Sequence, residues 1–374
     1  MADAVVVGTV RSRARFEGLD LARFLAFVGM VIVNFTIVMG AETGAGVGAA
    51  VGAGAEAGVE GGGGLLAGMT LLLEGRAAAT FVVLAGLGLG LAASRGMERT
   101  VSDTIRRALF LLVVGLLNSL IFDADILHYY AFYFLFGVFL LPLRTWTLIW
   151  VIVALNIAFV GMNFVLDYDT GRDWVDYSYA DFWTPAGFVR NLFFNGWHPV
   201  IPWLGFLLFG VILSRLDLGE RRVRNALSLG GLAAFLLAEV LAARLQPLLG
   251  AIDPELAYLV TTGPVPPMPL YTLAGMGVAS LVIGLCLSLA ERPAMAPVMR
   301  AVVPAGRQTL TLYIAHIVVG MGALEALGML GGQTPGAAVL AALIFCAASA
   351  VFALVWSRAF KRGPVETLMR WVAG

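Results

Sequence analysis

Cysteine and charged residues are both scarce in this sequence. Of its 374 residues, 2 are cysteine and 13% are charged. Cys286 and Cys346 each lie within an apolar run, so the sequence favours neither a disulfide framework nor a cysteine-based metal site. The 24 basic residues are balanced by 24 acidic residues and are not gathered into a tail. This balance argues against nucleic acid as a partner.

Apolar residues, in contrast, make up 60% of the chain, and the mean hydropathy is +0.90. They fall in runs of about 20 residues, the length at which an α-helix crosses the hydrocarbon layer of a bilayer. The sequence therefore predicts an all-α, polytopic transmembrane bundle of about ten spans, with the lipid bilayer as its partner. The predicted spans are 19–40, 65–94, 105–122, 126–143, 145–165, 197–214, 225–246, 268–290, 308–330 and 336–357.

The distribution of basic residues predicts the orientation of these spans. All but four of the 24 basic residues fall on the side of the N-terminus. The exceptions are Arg76, Arg172, Arg190 and Arg244. Because cytoplasmic connectors are enriched in Lys and Arg, we expect both termini in the cytoplasm and the protein in the plasma or inner membrane. Residues 1–18 and 361–374 are then cytoplasmic segments that flank one membrane domain, 19–360.

A short break divides the second predicted span. Glu74, Gly75 and Arg76 interrupt its apolar run, so residues 65–73 are predicted to form a short interfacial helix ahead of the true span. Ionisable residues at membrane depth usually face a partner or a cavity. Glu74 and Arg76 are therefore candidate substrate contacts.

Two outer loops differ in composition. Residues 40–64 are rich in glycine and are predicted to form a flexible linker without chemistry. Residues 166–197 mix carboxylates with aromatic side chains, among them Trp183 and Trp197. Aromatic faces beside carboxylates suit stacking on a sugar ring and bonding to its hydroxyls, while an interfacial aromatic belt is the alternative.

Arg23 and Asn34 share one face of the first predicted span. The helical rise places Asn34 about 16 Å beyond Arg23, well into the bilayer. Asp20 is spaced to pair with Arg23. Arg23 is therefore either half of a structural ion pair or a ligand-binding residue.

The three histidines all fall in the outer half of the predicted bundle or near its midplane. His316 shares a helix face with Tyr313, and His128 lies at i+3 from Asp125, where the carboxylate can orient the imidazole. A histidine at such a depth is a candidate general base. His198 stands at a backbone break, which is tolerated in membranes where it lines a cavity. The alternatives are a neutral, hydrogen-bonded His316 and an interfacial position for His128 and His198.

A cluster of arginines brackets the connector between the second and third predicted spans. Its members are Arg95, Arg99, Arg106 and Arg107. Arginine suits phosphate binding, although the charge bias of cytoplasmic connectors accounts for the cluster equally well. The chain has no Walker loop, dinucleotide fingerprint, zinc-protease motif or serine-hydrolase elbow in a suitable context, and no metal site is expected.

Six stretches, taken together, resemble a known family. The bacterial membrane proteins grouped with heparan-alpha-glucosaminide N-acetyltransferase and the YeiB-type proteins carry similar segments in the same order. The stretches are RFEGLDLARFLAFVGMVIVNF (15–35), EGRAAATFVVLAGLGLGL (74–91), DILHYYAFYF (125–134), GWHPVIPWLGFLLFGVILSRLDL (196–218), GRQTLTLYIAHI (306–317) and WSRAFKRGPVETLMR (356–370).

The resemblance implies an acyltransferase that takes acetyl-CoA, or another acyl-CoA, from the cytoplasm and acylates an acceptor on the far side. In the eukaryotic relative the acceptor is the amine of a terminal glucosamine, and more distant relatives modify hydroxyls of envelope sugars. In the more distant relatives, the first span carries an Arg followed after ten residues by a His, whereas here Asn34 stands at that spacing from Arg23, as an Asn does in the heparan acetyltransferase. The relative's active-site histidine lies in its outer loop, but residues 35–64 of this chain hold no histidine, so that role cannot be carried over.

The expected mechanism is direct transfer through a central cavity. The inner arginines would hold the CoA phosphates, and Asn34 would donate a hydrogen bond to the thioester oxygen. Either His128 with Asp125, or His316, would remove the acceptor proton. The expected contacts to a sugar or glycan acceptor are Glu74, Arg76, Trp183, Trp197, His198 and Tyr313.

Two other functions stay open at this point. One is a transporter of a small envelope metabolite, which the lack of a convincing internal repeat disfavours. The other is a family member that has lost catalysis and serves as a binding partner. A homodimer is compatible with each of these functions.

Overall fold

Every regular element that the structure describes is a helix. The structure is a computed structural model that describes residues 16–40, 64–174 and 178–373, where the one β-pairing is a single bridge between Arg172 and Tyr179. The all-α prediction is confirmed for these ranges. The glycine-rich linker predicted at 40–64 lies almost entirely outside them, as do residues 1–15.

The helices are numbered in chain order. They are α1 (Glu17–Gly40), α2 (Gly64–Leu73), α3 (Arg76–Ala93), α4 (Met97–Asn118), α5 (Leu127–Leu140), α6 (Thr145–Asn163), α7 (Pro185–Arg190), α8 (Val200–Leu213), α9 (Arg221–Gly250), α10 (Pro269–Ala290), α11 (Ala296–Arg307), α12 (Thr309–Ala315), α13 (Gly322–Ala326), α14 (Pro335–Trp356) and α15 (Pro364–Ala373). A π-helical turn, Asn191–Asn195, extends α7, and a π-helical segment, His316–Met321, joins α12 to α13. Short 3-10 turns occupy Pro254–Val260 and Pro293–Met295.

Several of these helices are long and apolar enough to cross a membrane. In the described ranges seven qualify, and the pair Pro185–Asn195 and Val200–Leu213, bent by 52°, raises the number to eight. The two other predicted spans correspond to α4, whose first half is charged, and to α5, which has 14 residues. A 14-residue helix rises about 21 Å. The protein is thus a multi-pass membrane protein, while the count of ten spans stays a prediction.

The break predicted in the second span is present. Helix α2 ends at Leu73 and α3 begins at Arg76. Gly75 has a φ of 67°, a left-handed conformation that favours glycine. A Cβ at this position would also lie 2.7 Å from the Tyr271 hydroxyl, so the turn packs directly against the start of α10.

Small residues bring the central helices together. Helix α1 packs against α3, α10, α11 and α14. Between α3 and α8, a Cβ at Gly86 would overlap the Leu207 carbonyl, and one at Gly210 would overlap the Val83 carbonyl. Such close backbone approach is typical of helix pairs in membranes, where burial of apolar surface does not drive association.

The two ends of the bundle differ in charge. The basic end comprises connectors 94–96, 141–144, 214–220 and 291–308 with residues 357–373, and the acidic end comprises residues 119–126, 164–174, 178–199, 251–268 and 327–334. Contacts tie the segments of each end together. Arg215 donates to the carbonyls of Leu141 and Leu143 at the basic end, and Asn195 donates to those of Tyr168 and Thr170 at the acidic end.

Candidate functional site

A hydrogen bond between α1 and the π-helical segment after α12 lies at the centre of the candidate site. Asn34 Nδ2 lies 3.0 Å from His316 Nε2, although the two residues are 282 positions apart in the chain. His316 is fully buried. Because the π-helical segment begins at His316, and such segments are frequent at functional sites, the local backbone is consistent with a site here.

The contacts of His316 define its protonation. Its Nδ1 contacts the Tyr313 carbonyl, which can only accept a hydrogen bond, so Nδ1 carries the proton. In the neutral ring Nε2 then holds a lone pair and accepts from the Asn34 amide. In the neutral form of His316, the basic nitrogen is therefore directed at Asn34.

A second group of contacts surrounds Asp125, just before α5. Its carboxylate accepts from the Tyr313 hydroxyl at 3.1 Å, from Asn118 Nδ2 at 3.2 Å and from the Leu127 amide at 2.8 Å. Asp125 is fully buried, and these three donors stabilise its charge. The carboxylate thereby joins α4, α5 and α12.

His128 lies beside this carboxylate without a hydrogen bond to it. Its Nδ1 is 3.7 Å from Asp125 Oδ2 and 3.3 Å from Ser119 Oγ. Ser119 donates to the Gly115 carbonyl, so Nδ1 of His128 is the donor in the contact with Ser119. The other ring nitrogen, Nε2, is buried and has no hydrogen-bond partner among the described residues.

Several other buried polar atoms without a described partner lie near His128 or near one another. Among them are His198 Nδ1, Trp203 Nε1, Tyr271 Oη and Glu74 Oε1. Ring centroids link them in sequence: His128 to Tyr129 at 3.9 Å, Tyr129 to His198 at 5.8 Å, His198 to Trp203 at 4.7 Å and Trp203 to Tyr271 at 5.8 Å. Tyr271 contacts the Gly75 turn, beside Glu74. We call these five side chains, His128, His198, Trp203, Tyr271 and Glu74, the orphan polar cluster.

The basic end holds open cavities. One of about 280 Å³ is lined by Arg23, Thr104 and Arg107 among others, and a larger one of about 650 Å³ also includes Arg107. Arg23 pairs with Asp20 at 2.6 Å, so it is both an ion-pair partner and a cavity-lining residue. Arg107 lines both cavities.

Two family models match this chain. A family model described as heparan-alpha-glucosaminide N-acetyltransferase, catalytic, matches residues 62–244, and one described as protein of unknown function (DUF418) matches residues 212–374. Together the two matches support a heparan-alpha-glucosaminide N-acetyltransferase-like, YeiB-type family member. The resemblance noted in the sequence is thus confirmed, and the match to the catalytic model indicates a membrane acyltransferase family. Searches of curated proteins and of solved structures gave no match.

In this acyltransferase-like chain, some predicted acceptor contacts are engaged within the protein. Arg76 pairs with Glu239 at 2.6 Å and also donates to the Thr262 carbonyl. Trp197 faces the Arg172 guanidinium at 4.9 Å, with Trp174 at 4.7 Å from the same group. Trp183, in contrast, is 61% exposed and is free to contact a ligand.

The aromatic loop has a further buried member. Tyr168 lies 5.5 Å from the Arg172 guanidinium. Burial raises the pKa of Tyr168 to about 12, so this phenol stays protonated at neutral pH, and its hydroxyl has no hydrogen-bond partner among the described residues.

The predicted arginine cluster is dispersed. Arg99 is 81% exposed on its side chain and lies 3.8 Å from Asp103, and Arg106 donates to the Ala373 carbonyl. Arg95 is exposed. Of the four, Arg107 is the one that lines the two cavities described above.

Sequence reasoning did not identify several residues of the site. Asn118 and Ser119 hold Asp125 and His128, while Trp203 and Tyr271 belong to the orphan polar cluster. Their signal in the sequence is weak, because Trp and Tyr are frequent in membrane helices and one Asn or Ser at a helix end is ordinary.

Proposed function

We propose that the protein transfers an acetyl group from acetyl-CoA, which enters at the basic end, to an amine or hydroxyl of a sugar or envelope glycan, which enters at the acidic end. The observation that carries the proposal is the contact between Asn34, which is half-buried, and the buried His316, joined through Tyr313 to Asp125. The match to the catalytic model of the acyltransferase family supports it. If the basic end faces the cytoplasm, the donor comes from inside the cell.

The donor would approach along α1. Arg23 lines the cavity of about 280 Å³, and Asn34 lies about 16 Å farther along the same helix. In this arrangement the thioester would reach Asn34 while the phosphates stay near the basic end. The Asn34 amide would then donate to the thioester oxygen as negative charge develops there.

One base is enough to account for every bond and proton in the acetyl transfer. The acceptor nitrogen or oxygen bonds to the acetyl carbon and gives its proton to an imidazole. The carbon–sulfur bond breaks, and CoA leaves as a thiolate that takes the proton back from the imidazolium. Neither a metal nor a covalent intermediate is needed in this scheme.

Two histidines are candidates for the base. His316 Nε2 has the needed lone pair, and its present partner is the Asn34 amide, so the thioester oxygen would have to draw that amide away first. His128 Nε2 has a lone pair and no partner among the described residues. His316 would act beside the thioester, whereas His128 would act from the orphan polar cluster.

The orphan polar cluster is the acceptor site in this proposal. Buried polar atoms without partners are costly, and a ligand with several hydroxyl or amino groups would satisfy them. The rings of Tyr129, Trp203 and Tyr271 provide apolar faces of the kind that cover a sugar ring. Glu74 would accept from an amine or a hydroxyl.

Purified protein in proteoliposomes, supplied with acetyl-CoA and glucosamine, would test the proposal. We expect Asn34→Ala to lower the acetyl-transfer rate by about 10²–10³-fold, as for loss of an oxyanion donor. Substitution of the base by Gln should lower the rate by about 10²–10⁴-fold, so His316→Gln and His128→Gln identify which histidine acts.

Asn163→Ala is the matched control for Asn34→Ala. Asn163 is also on a candidate span, but its amide bonds only to the Phe159 carbonyl of its own helix, so its loss should leave the rate unchanged. Wild-type rates in the variants of Asn34, His316 and His128 alike would refute the proposal.

A further inference from the structure

The largest cavity described at the basic end is cationic. Its volume is about 650 Å³, and its lining comes from α4, the end of α11, the segment after α14 and the C-terminal helix α15. Arg107, Arg307, Lys361, Arg362 and Arg370 line it. The segment that builds one wall, residues 356–370, is also one of the six stretches that carry the family resemblance.

The carboxylates near this cavity do not neutralise its charge. Glu366, the one acid in the lining, accepts from the amides of Leu310 and Thr311 and from the Thr311 hydroxyl. It therefore fixes α15 to the start of α12. Arg307 pairs with Asp20 at 3.2 Å and Glu17 at 3.7 Å. Within the described ranges no ion pair engages the four other basic residues, so the cavity has excess positive charge.

Two further lining residues distinguish a nucleotide from a simple anion. Gln308 is 2% exposed, and its Nε2 donates to the Ala353 carbonyl. Its Oε1 is left without a partner among the described residues and is free to accept from a ligand N–H or O–H. Phe360 is 53% exposed and stacks on Trp356 at 4.4 Å, which leaves an aromatic surface for a base.

We infer that this cavity binds the phosphate-bearing nucleotide of the acyl donor, through Arg107, Lys361, Arg362 and Arg370. The identity of the donor as a CoA ester rests on the proposed function, whereas the cavity and its charge do not. Arg107 also lines the cavity that contains Arg23, so a donor held here can extend its thioester arm toward Asn34. The site differs from the Arg95–Arg107 cluster expected from the sequence, since it is built mainly by the C-terminal segment.

Lys361 allows a direct test on the unmodified protein, because it is the only lysine in the chain. We would treat the full-length protein, in phosphatidylcholine nanodiscs, with an amine-reactive reagent and follow labelling of Lys361 by peptide mass spectrometry. CoA and 3′,5′-ADP should each slow this labelling about tenfold, and the protection should weaken as salt is raised. Labelling of the N-terminal amine in the same sample is the internal control.

A pair of double variants tests the charge requirement. Lys361→Gln with Arg362→Gln should weaken 3′,5′-ADP binding, measured by titration calorimetry, by about tenfold or more. Arg221→Gln with Arg222→Gln removes the same charge from exposed residues at the start of α9 and should leave binding unchanged. Arg370→Gln, on α15, serves as an independent single variant should the first double variant melt at a lower temperature.

The outcomes separate the inference from the proposed function. If CoA binds but neither protects Lys361 nor responds to the variants, the inference is wrong and the acyltransferase proposal stands. If phosphatidylglycerol in the nanodisc protects Lys361 while CoA and 3′,5′-ADP do not, the cavity binds a lipid headgroup and the inference is wrong. If CoA binds to no part of the wild-type protein, the proposed donor fails as well.

Discussion

The acidic and basic ends of the bundle hold their polar groups in opposite ways. At the acidic end the orphan polar cluster is buried among aromatic rings and consists mainly of neutral groups without partners. At the basic end the polar groups are guanidinium and ammonium groups that line open cavities in contact with solvent. Buried neutral groups demand hydrogen bonds of defined geometry, whereas exposed cations attract any anion of suitable size.

This difference indicates how each end would select its ligand. A buried site built to hydrogen-bond a ligand strongly rejects an analogue that leaves its groups unpaired. An exposed cationic site discriminates less and is screened by salt. The acidic end is therefore the part of the molecule where acceptor specificity would be decided, and the basic end is where a common donor would be held.

Among the variants that compare the two ends, the largest effect is expected at Asp125, which is buried and accepts three hydrogen bonds. In Asp125→Asn the new amide N–H groups would face donors from Asn118, Tyr313 or the Leu127 amide. We expect about a hundredfold lower acetyl-transfer rate, because Tyr313 precedes His316 by one helical turn, and a loss of about 1–3 kcal/mol of stability. The transfer assay and thermal unfolding in detergent measure these effects.

Asp167→Asn is the control, because Asp167 is exposed and bonds only within its own turn. It should match the wild type in both measurements. An Asp125→Asn protein with a normal rate and a normal melting temperature would show that the Asp125 network is not part of the site.

A smaller and more selective effect is expected at Glu74. Glu74→Gln removes a charge but keeps the shape, so the KM for glucosamine should rise about tenfold, the usual scale for one hydrogen bond to a charged group. The KM for acetyl-CoA should stay the same, since the donor binds at the other end. Steady-state kinetics with each substrate varied in turn gives both constants.

Glu325→Gln provides the comparison, because Glu325 is an exposed residue on α13 near the acidic end. A rise in the KM for acetyl-CoA in the Glu74 variant, or an unchanged KM for glucosamine, would contradict the assignment of the orphan polar cluster to the acceptor.

The sequence predicted the helices better than it predicted the contacts between them. The break at residues 74–76 could be located because charged residues and glycine interrupt an apolar run. Helix α4 begins at Met97, earlier than the predicted 105, because its first turns are charged and their helical character is invisible to a hydropathy argument. Hydropathy detects helical residues that face lipid, and the charged residues in the first turns of α4 do not show up in that measure.

The candidate site shows the same limit. Asn34 and His316 were each identified as polar residues at membrane depth, but no spacing rule relates residues 282 positions apart. Trp197 was expected to contact a sugar, and its position over Arg172 depends on how a long loop folds. A single polar residue at membrane depth can therefore be identified from the sequence. A pair that tertiary packing brings together cannot.

The smallest effects, which are changes in melting temperature, are expected at two ion pairs that we use to compare the two ends. Arg76 and Arg224 each have 7% of the side chain exposed, and their partners Glu239 and Glu291 have 35% and 59% exposed. Glu239 also accepts from the Thr262 hydroxyl. In thermal unfolding, Glu239→Gln should therefore lower the melting temperature more than Glu291→Gln, whose pair contributes at most about 1 kcal/mol.

The Glu291 pair also has a pH dependence with a definite sign. Its hydrogen bond to Arg224 lowers the pKa of Glu291 from the ordinary value of 4.5. A carboxylate with a lowered pKa stabilises the fold fully above its unfolded pKa, and this contribution is lost as pH falls through the folded value. The melting temperatures of wild type and Glu291→Gln should thus differ by a constant amount above about pH 6 and converge below about pH 4. A difference in melting temperature that grows on acidification would show that Glu291 is paired through its protonated form. A larger fall in melting temperature for Glu291→Gln than for Glu239→Gln would reverse the contrast between the ends.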